Sequence, residues 1–407
     1  MLLREENIFP HFQPILCADA CAVSGYEVLG RYRDENGNVE SLGKFFHDPS
    51  VPADISLHVD RVIRKKAMER YAEEGCNKDI YLNMRLDWLA HKESKYEIYT
   101  LRWAHEYGIA PEHLIIEITE EEFNASEDYI KVLSLFTEAG CRIALDDYGK
   151  SASNIDRLAC LSPAVIKLDM EFIQKSPESF HHRAYIHSLT SFAEHVGIEV
   201  LCEGIETQAQ LDVCMETGGR YFQGFLFAYP QPIVCDAVVD GNVFMHSSDK
   251  LISSLHNRVT QANALRHTMD INVQRFVAEH VFVMGKMDID LYLLDLMRTL
   301  PAHVMRVFLC DRRGTQLSGN IERRAGDFSV TAFRGANWLW RGFFQEAMNM
   351  FEASRQSGVT GAYRDMTSKE RIFTYFCALS SDLFLFADVR RVPLSVSSLA
   401  VAAEASE

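Results

Sequence analysis

What most limits how this chain can fold is a pattern that recurs from its start to about residue 240. A short apolar run ends in, or carries, a polar residue, and a longer stretch with helical periodicity follows. The runs begin with Phe12-Gln13-Pro14-Ile15-Leu16 and Ser24-Gly25-Tyr26-Glu27-Val28-Leu29-Gly30-Arg31. Ile80 to Asn83, Leu114 to Glu120, Arg142 to Asp147 and Ala164 to Asp169 come next, then Ile198 to Glu206 and Tyr221 to Gly224. Between them, Val62, Ile63, Ala67 and Met68, and later Val132, Leu133, Leu135 and Phe136, recur near a 3.6-residue period. Gly140 and Gly197 stand where helices would end, the second after a helix from about His182 to His195. Strands that are apolar throughout are buried on both faces, which means a parallel sheet covered by helices. About eight of them close naturally into a (β/α)8-type barrel. A doubly wound open sheet would need a Gly-rich phosphate loop after its first strand, and the sequence has none.

In such barrels the chemistry gathers at the carboxyl ends of the strands. Asn83, Glu117, Asp146, Asp147, Lys167, Glu203 and Gln223 all fall there. Neighbouring side chains of a strand point to opposite faces, so Asp146 and Asp147 can converge only where their strand frays into a loop. Like charges held together need a cation between or beside them. With Glu27 and the Asn83 amide, the set is rich in oxygen and contains no His or Cys, which suits Mg²⁺ or Mn²⁺. Two ions about 3.5–4 Å apart would balance so many carboxylates, and that is equipment for hydrolysing a phosphodiester. Lys167 could hold the attacking water or a developing anion. Taken alone it reads equally as a barrel-interior lysine paired with Asp169.

A formal charge of -16, from 57 acidic against 41 basic residues, argues against a surface that grips polymeric nucleic acid. A small anionic ligand remains open to it. No apolar run approaches the roughly 18 residues of a membrane span, and the opening Met1-Leu2-Leu3-Arg4-Glu5-Glu6 turns acidic at once. Ten cysteines without C-x-x-C pairing read as reduced. A cytoplasmic protein is the expectation.

These residues carry a resemblance. Residues 10–240 resemble an EAL domain, the cyclic-di-GMP phosphodiesterase family with a modified (β/α)8, TIM-like barrel. The signature is Glu27-Val28-Leu29-Gly30-Arg31, followed in order by Leu82-Asn83-Met84, Glu117-Ile118-Thr119-Glu120 and Asp146-Asp147-Tyr148-Gly149. Lys167-Leu168-Asp169, Glu203-Gly204-Ile205-Glu206 and Gln223-Gly224 complete it. The resemblance implies a first metal on Glu27, Asn83, Glu117 and Asp146, with Asp146 bridging to a second that Asp147 and Glu203 help hold. It places Lys167 at the nucleophilic water and Arg31 on a phosphate, where its planar fork fits. Glu120 and Glu206 would order the loop after Asp147, while Gln13, Asp169, Gln223 and Gly224 would contact the nucleotide. The family's Asp-Phe-Gly-Thr-Gly loop is here Asp147-Tyr148-Gly149-Lys150-Ser151, a departure that bears on turnover more than on binding. Met84 and Arg85 replace small polar residues after Asn83, and little effect is expected of them.

Beyond Pro230-Gln231-Pro232, Leu251, Leu255, Val259, Ala262, Leu265, Met269, Val273 and Phe276 mark one long amphipathic helix. It reads either as packed on its own domain or as a connecting, dimer-forming signal helix. Met305 to Asp311, a turn at Arg313-Gly314, and Gln316 to Asn320 read as a hairpin. Arg371 to Cys377 and Leu383 to Asp388 add strands. With Asn337-Trp338-Leu339-Trp340-Arg341, this part resembles the PAS-like C-terminal domain of YkuI-type EAL proteins. Trp338, Trp340 and Arg341 serve either core packing or a ligand pocket. The expected organisation is an EAL domain over 1–245, a connecting helix over 246–285, a PAS-like sensor over 286–392 and a disordered tail over 393–407. The expected function is metal-dependent hydrolysis of cyclic di-GMP to linear pGpG by a homodimer, regulated by the C-terminal domain and its unidentified ligand. A cyclic-di-GMP receptor with little turnover is the alternative, and an unrelated metal-dependent barrel enzyme is a third.

Overall fold

The computed structural model describes residues 4–85, 98–120, 127–149, 155–234, 242–280, 288–324, 327–353 and 355–390. Lys150, Ser151 and the tail from 393 lie outside them. The chain divides into two compact units, Met1–Ile252 and Ser253–Glu407.

The first unit opens with β1 (Ile8–Cys17) and β2 (Ala22–Arg33), then β3 (Val39–Ser41), α1 (Gly43–Phe46) and α2 (Ala53–Glu73). From there strands and helices alternate: β4 (Asp79–Asn83), α3 (Tyr99–Tyr107), β5 (Leu114–Thr119), α4 (Glu127–Glu138), β6 (Arg142–Tyr148) and α5 (Ile155–Leu161). After β7 (Val165–Leu168) come two helices, α6 (Met170–Lys175) and α7 (Phe180–Val196). The unit continues with β8 (Glu199–Cys202), α8 (Gln208–Glu216) and β9 (Tyr221–Phe222). Strands β2, β4, β5, β6, β7, β8 and β9 follow one another in parallel, and β1 lies antiparallel between β9 and β2, closing the barrel. The regular strand-then-helix pattern therefore starts one strand later than the sequence suggests. A reversed β1 needs only a tight turn into β2, whereas a parallel one would need a helical crossover.

Strand alternation explains why polar residues crowd the mouth. Ile15 and Cys17 of β1, with Tyr81, Ile115, Ala144, Val165, Leu201 and Tyr221 from β4 to β9 in turn, form a small buried cluster separate from the larger core beneath the helices. Two residues further along, on the same face of each strand or its extension, stand Asn83, Glu117, Asp146, Lys167, Glu203 and Gln223. The apolar layer is the floor on which the polar set rests. In β1, which runs the other way, the corresponding step goes back from Ile15 to Gln13, opposite Glu27.

The helix α9 (Asn242–Glu279) takes in the amphipathic stripe. In the first unit Phe244 is buried against the barrel core, and Asp212 of α8 accepts from Ser247 Oγ (2.5 Å) and pairs with Lys250 Nζ (2.5 Å). Burial works against the Asp212 carboxylate, but Lys250, Ser247 and Gln208 outweigh it and hold its pKa below the usual value. A carboxylate depressed on folding stabilises above its unfolded pKa and loses that contribution as pH falls through the folded one. Asp212→Asn should accordingly loosen the start of α9 at neutral pH and match the native chain below about pH 4. Amide exchange of residues 243–250 across that range checks it, and equal protection at pH 7 would contradict the account.

In the second unit, Met269, Val273 and Phe276 of α9 are buried, whereas Leu255 and Val259 of the same stripe are exposed. The remaining elements are α10 (Ile289–Thr299), β10 (Val304–Asp311), β11 (Asn320–Arg324), β12 (Asp327–Thr331) and α11 (Gly342–Glu352). They end with β13 (Ser357–Val359), β14 (Tyr363–Arg364), β15 (Arg371–Ala378) and β16 (Leu383–Arg390). All pairings are antiparallel, in the order β12-β11-β10-β16-β15-β13, with β14 on β15. Val307, Leu309, Leu385 and Ala387 face α9 and α10, while Phe308, Cys310, Phe384 and Phe386 face α11. Period-two alternation thus fills both faces, as expected for a covered sheet. The turn at Arg313-Gly314 brings Gln316 back against Cys310 in an antiparallel bridge, with the Leu317 amide donating to the Leu309 carbonyl at 2.8 Å, and the regular pairing continues in β11, where Ile321 stands opposite Val307. The Gln316 side chain bonds locally, donating to Ser318 O (3.0 Å) and Asn320 Oδ1 (2.9 Å). Trp338 packs beside Phe343, and Trp340 lies on the surface.

Candidate active site

At the barrel mouth four carboxylates converge on one ammonium. Lys167 Nζ lies 2.6 Å from Glu117 Oε1, 2.8 Å from Glu203 Oε1, 3.3 Å from Asp146 Oδ2 and 3.5 Å from Glu27 Oε1. Lys167 and Glu117 are each 1% exposed, so the group is effectively inside the protein. The alternative pairing of Lys167 with Asp169 is not what forms. Asp169 instead caps α6, accepting from the Glu171 amide at 2.8 Å.

One ammonium cannot balance four carboxylates. Burial opposes the charge on Lys167, yet Asp146, Glu117, Glu203 and Glu27 outweigh it and hold its pKa well above the ordinary lysine value. Burial raises the Glu117 and Glu203 carboxyls well above the ordinary range despite Lys167, and their acidic neighbours add to the rise. Among the described residues, Glu117 Oε2 is buried with no hydrogen-bond partner. Among the described residues no three His, Cys, Asp or Glu side chains close on a single point as they stand, since the ammonium occupies the centre they share. The donor set nonetheless suits hard divalent cations: it is all oxygen, in excess over its positive charge, and includes an unsatisfied carboxylate oxygen.

Glu27 is held from behind. Gln223 Nε2 donates to its Oε2 at 2.5 Å and to Gln13 Oε1 at 3.3 Å, and Gln13 Nε2 donates to the Ala228 carbonyl at 3.4 Å. Asn83 Nδ2 reaches Glu27 Oε1 at 3.4 Å. Both glutamines are buried. Gly224 is set by packing, because a Cβ there would stand 2.0 Å from the Ile205 carbonyl oxygen.

Asp147 adopts φ +54, and the β6–β7 register shifts between Leu145 and Tyr148. That irregularity lets consecutive aspartates serve one mouth, at a strain of about 1–3 kcal/mol. Glu120 Oε2 accepts from the Gly149 amide at 3.2 Å. The Glu206 side chain is exposed and bonds Gln174 Nε2 at 3.4 Å; any contact with residues 150–154 falls outside the described residues.

A cavity of about 420 Å³ opens beside this cluster, lined by Glu27, Asn83, Glu117 and Asp147 and, across from them, by Arg31. Its volume lies in the range of small-molecule sites. Arg31 donates to its neighbour's Gly30 carbonyl at 2.9 Å. Phe46, Asp60, Arg64 and Arg85 also line it; of these the sequence drew attention only to Arg85, as a departure of which little effect was expected. Asp60 and Arg64 are a buried pair one turn apart on α2 (2.7 Å), and only the i, i+4 spacing of opposite charges within an amphipathic helix hinted at it.

A family model for the EAL domain matches residues 1–230, and one for an EAL-domain associated signalling protein domain matches residues 242–394. The chain is 29% identical to the uncharacterized EAL-domain containing protein YkuI of Bacillus subtilis, over 96% of each. It is 28% identical to the cyclic di-GMP phosphodiesterase RocR of Pseudomonas aeruginosa, over 54% of this chain and 57% of RocR. In structure it is similar to Bacillus subtilis YkuI in complex with substrate c-di-GMP and calcium, with a TM-score of 0.86 and 27% identity over 96% of this chain and 98% of that one. A Klebsiella pneumoniae BlrP1 manganese/cy-diGMP complex is similar at a TM-score of 0.50 and 26% identity, over 57% of this chain and 58% of that one.

Proposed function

This chain belongs to the EAL-domain family, and on that premise we propose that it hydrolyses one phosphodiester of cyclic di-GMP to linear pGpG with Mg²⁺ or Mn²⁺. The observation that carries the reading is the excess of buried oxygen donors around Lys167, with Glu117 Oε2 left unsatisfied. Glu27, Asn83, Glu117 and Asp146 would hold one ion, and Asp146, Asp147 and Glu203 a second. When bound, such ions polarise phosphate oxygens and lower the pKa of an attacking water.

The chain's own residues supply the rest. Lys167 stays protonated among its carboxylates, so it serves as a hydrogen-bond donor and fixed positive charge rather than a base. Arg31, which lines the cavity, would hold a phosphate oxygen there. Gln223 and Gln13 keep Glu27 aimed at the mouth. Gln223→Leu should lower metal affinity about 10–100-fold, with the fold intact, because it removes the donor that orients Glu27. A manganese titration checks this, and native affinity would refute the role given to Gln223.

A receptor that binds cyclic di-GMP and signals through the second unit, without turnover, is the second reading. The ammonium within 2.6–2.8 Å of Glu117 and Glu203 favours it, since Lys167 competes with a cation for those oxygens. Incubating the full chain and residues 1–245 with cyclic di-GMP and Mg²⁺ or Mn²⁺ separates the readings. Linear product supports hydrolysis, bound but intact nucleotide supports the receptor, and a rate that differs between the full chain and residues 1–245 supports regulation by the second unit.

A further inference from the structure

Gln223, whose amide donates to Glu27, follows a strand with little support of its own. β9 is two residues long and pairs only those two with β1 and with β8. Neighbouring side chains of a strand point to opposite faces. While Gln223 reaches Glu27 inside the barrel, Phe222 enters the core beneath the helices. There Phe244, in the first turn of α9, lies against it with ring centroids 5.7 Å apart. The same ring stacks on Phe227 at 5.9 Å and an interplanar angle of 14°. Phe222 and Phe227 flank the segment Gln223 to Leu226, and Phe244 is 1% exposed, so one buried ring touches both ends of that segment.

The loop that carries Glu203 is tied to the same piece. The Gln223 amide donates to the Cys202 carbonyl at 3.0 Å, the Ile205 amide to the Gln223 carbonyl at 3.0 Å, and the Leu226 amide to the Ile205 carbonyl at 2.9 Å. Gln210 Oε1 of α8 accepts from the Glu206 and Thr207 amides at 2.7 and 2.9 Å. Helix α8 is in turn fastened to α9, because Gln208 Nε2 donates to Ser247 Oγ at 2.5 Å and to the Val243 carbonyl at 3.3 Å. Two routes thus run from the start of α9 to the mouth, an apolar one through Phe244 and a polar one through Gln208. A strand with so few ladder bonds takes its place from what packs behind it. Resting on the proposed metal-dependent reading, we infer that Phe244 is a positioning residue for the metal site, acting through Phe222 and Gln223 to hold Glu27 at the mouth. In the sequence Phe244 precedes the apolar stripe that begins at Leu251, and only the fold brings it against Phe222.

The test is calorimetric titration of the full chain with Mn²⁺, without nucleotide, in a mutant cycle of Phe244 and Gln223. Phe244→Ala should weaken Mn²⁺ about 10-fold, the low end of what losing a support behind a metal ligand costs. Phe244→Leu keeps apolar bulk and should lose less; it takes the place of Phe244→Ala in the cycle if that variant does not fold. Since Phe244 acts through Gln223, adding its substitution to Gln223→Leu should weaken Mn²⁺ no further, as residues on one path are not additive. A role in core packing alone would leave the two losses independent, and they would then multiply. Multiplying losses, or native Mn²⁺ affinity in the folded Phe244 variant, would overturn the inference and leave the metal site standing. A native chain that binds no Mn²⁺ removes the parent reading as well.

Discussion

Replacing Lys167 with Met should cost the metal-free protein about 3–5 kcal/mol of stability. The side chain is buried, and removing it leaves Glu27, Glu117, Asp146 and Glu203 facing one another with no positive charge among them. Some of the loss should be relieved by protonation, since burial already raises the Glu117 and Glu203 carboxyls, so the variant should be least handicapped in acid. Added Mn²⁺ should return most of the stability, because cations would then balance the same oxygens; at 100 times its Kd a ligand contributes about 2.7 kcal/mol. On the proposed function, hydrolysis should still fall about 10²–10³-fold, as expected if a fixed positive charge is lost from the reacting centre. Urea melts with and without manganese measure the first effect and product formation the second. A variant as stable as the native chain in a chelator would refute the electrostatic account of the mouth.

Glu27→Gln and Asp146→Asn should behave in the opposite way. Each removes one negative charge from a cluster that has too many, so metal-free stability should hold or rise. Each also removes a ligand oxygen, and hydrolysis should drop at least about 10²–10³-fold. Glu27→Gln can keep the Gln223 hydrogen bond, because its amide oxygen can accept from the Gln223 amide that now donates to Glu27 Oε2. Turnover at the native rate by either variant would refute the assignment of Glu27 and Asp146 to the metal. Taken with Lys167→Met, these variants separate a site that stabilises the fold from a site that performs chemistry.

The period-two run of each strand was legible because a buried parallel sheet leaves no freedom in which face a residue takes. Tyr81 below Asn83, Ile115 below Glu117 and Val165 below Lys167 follow from the pleat alone once the barrel is assumed. Residues whose role depends on a turn or a cap were less legible. Asp169 sits in register with the motif yet spends its oxygen on the Glu171 amide, and Gly224 is small because the Ile205 backbone presses on it. In the second unit the strands and the returning arm were visible, but the arm pairs only as a bridge at Gln316 before regular pairing resumes in β11, because the Gln316 side chain bonds Ser318 and Asn320 locally.

The sequence by itself determined the strand count, the oxygen-rich character of the mouth and the order in which its donors arrive, since these depend on periodicity and residue type along one chain. Tertiary structure alone decided that β1 runs backwards to close the barrel, that Lys167 stands among four carboxylates, and that Phe244 meets Phe222. Each of those depends on which distant segments become neighbours, and burial then sets how strongly their charges act on one another.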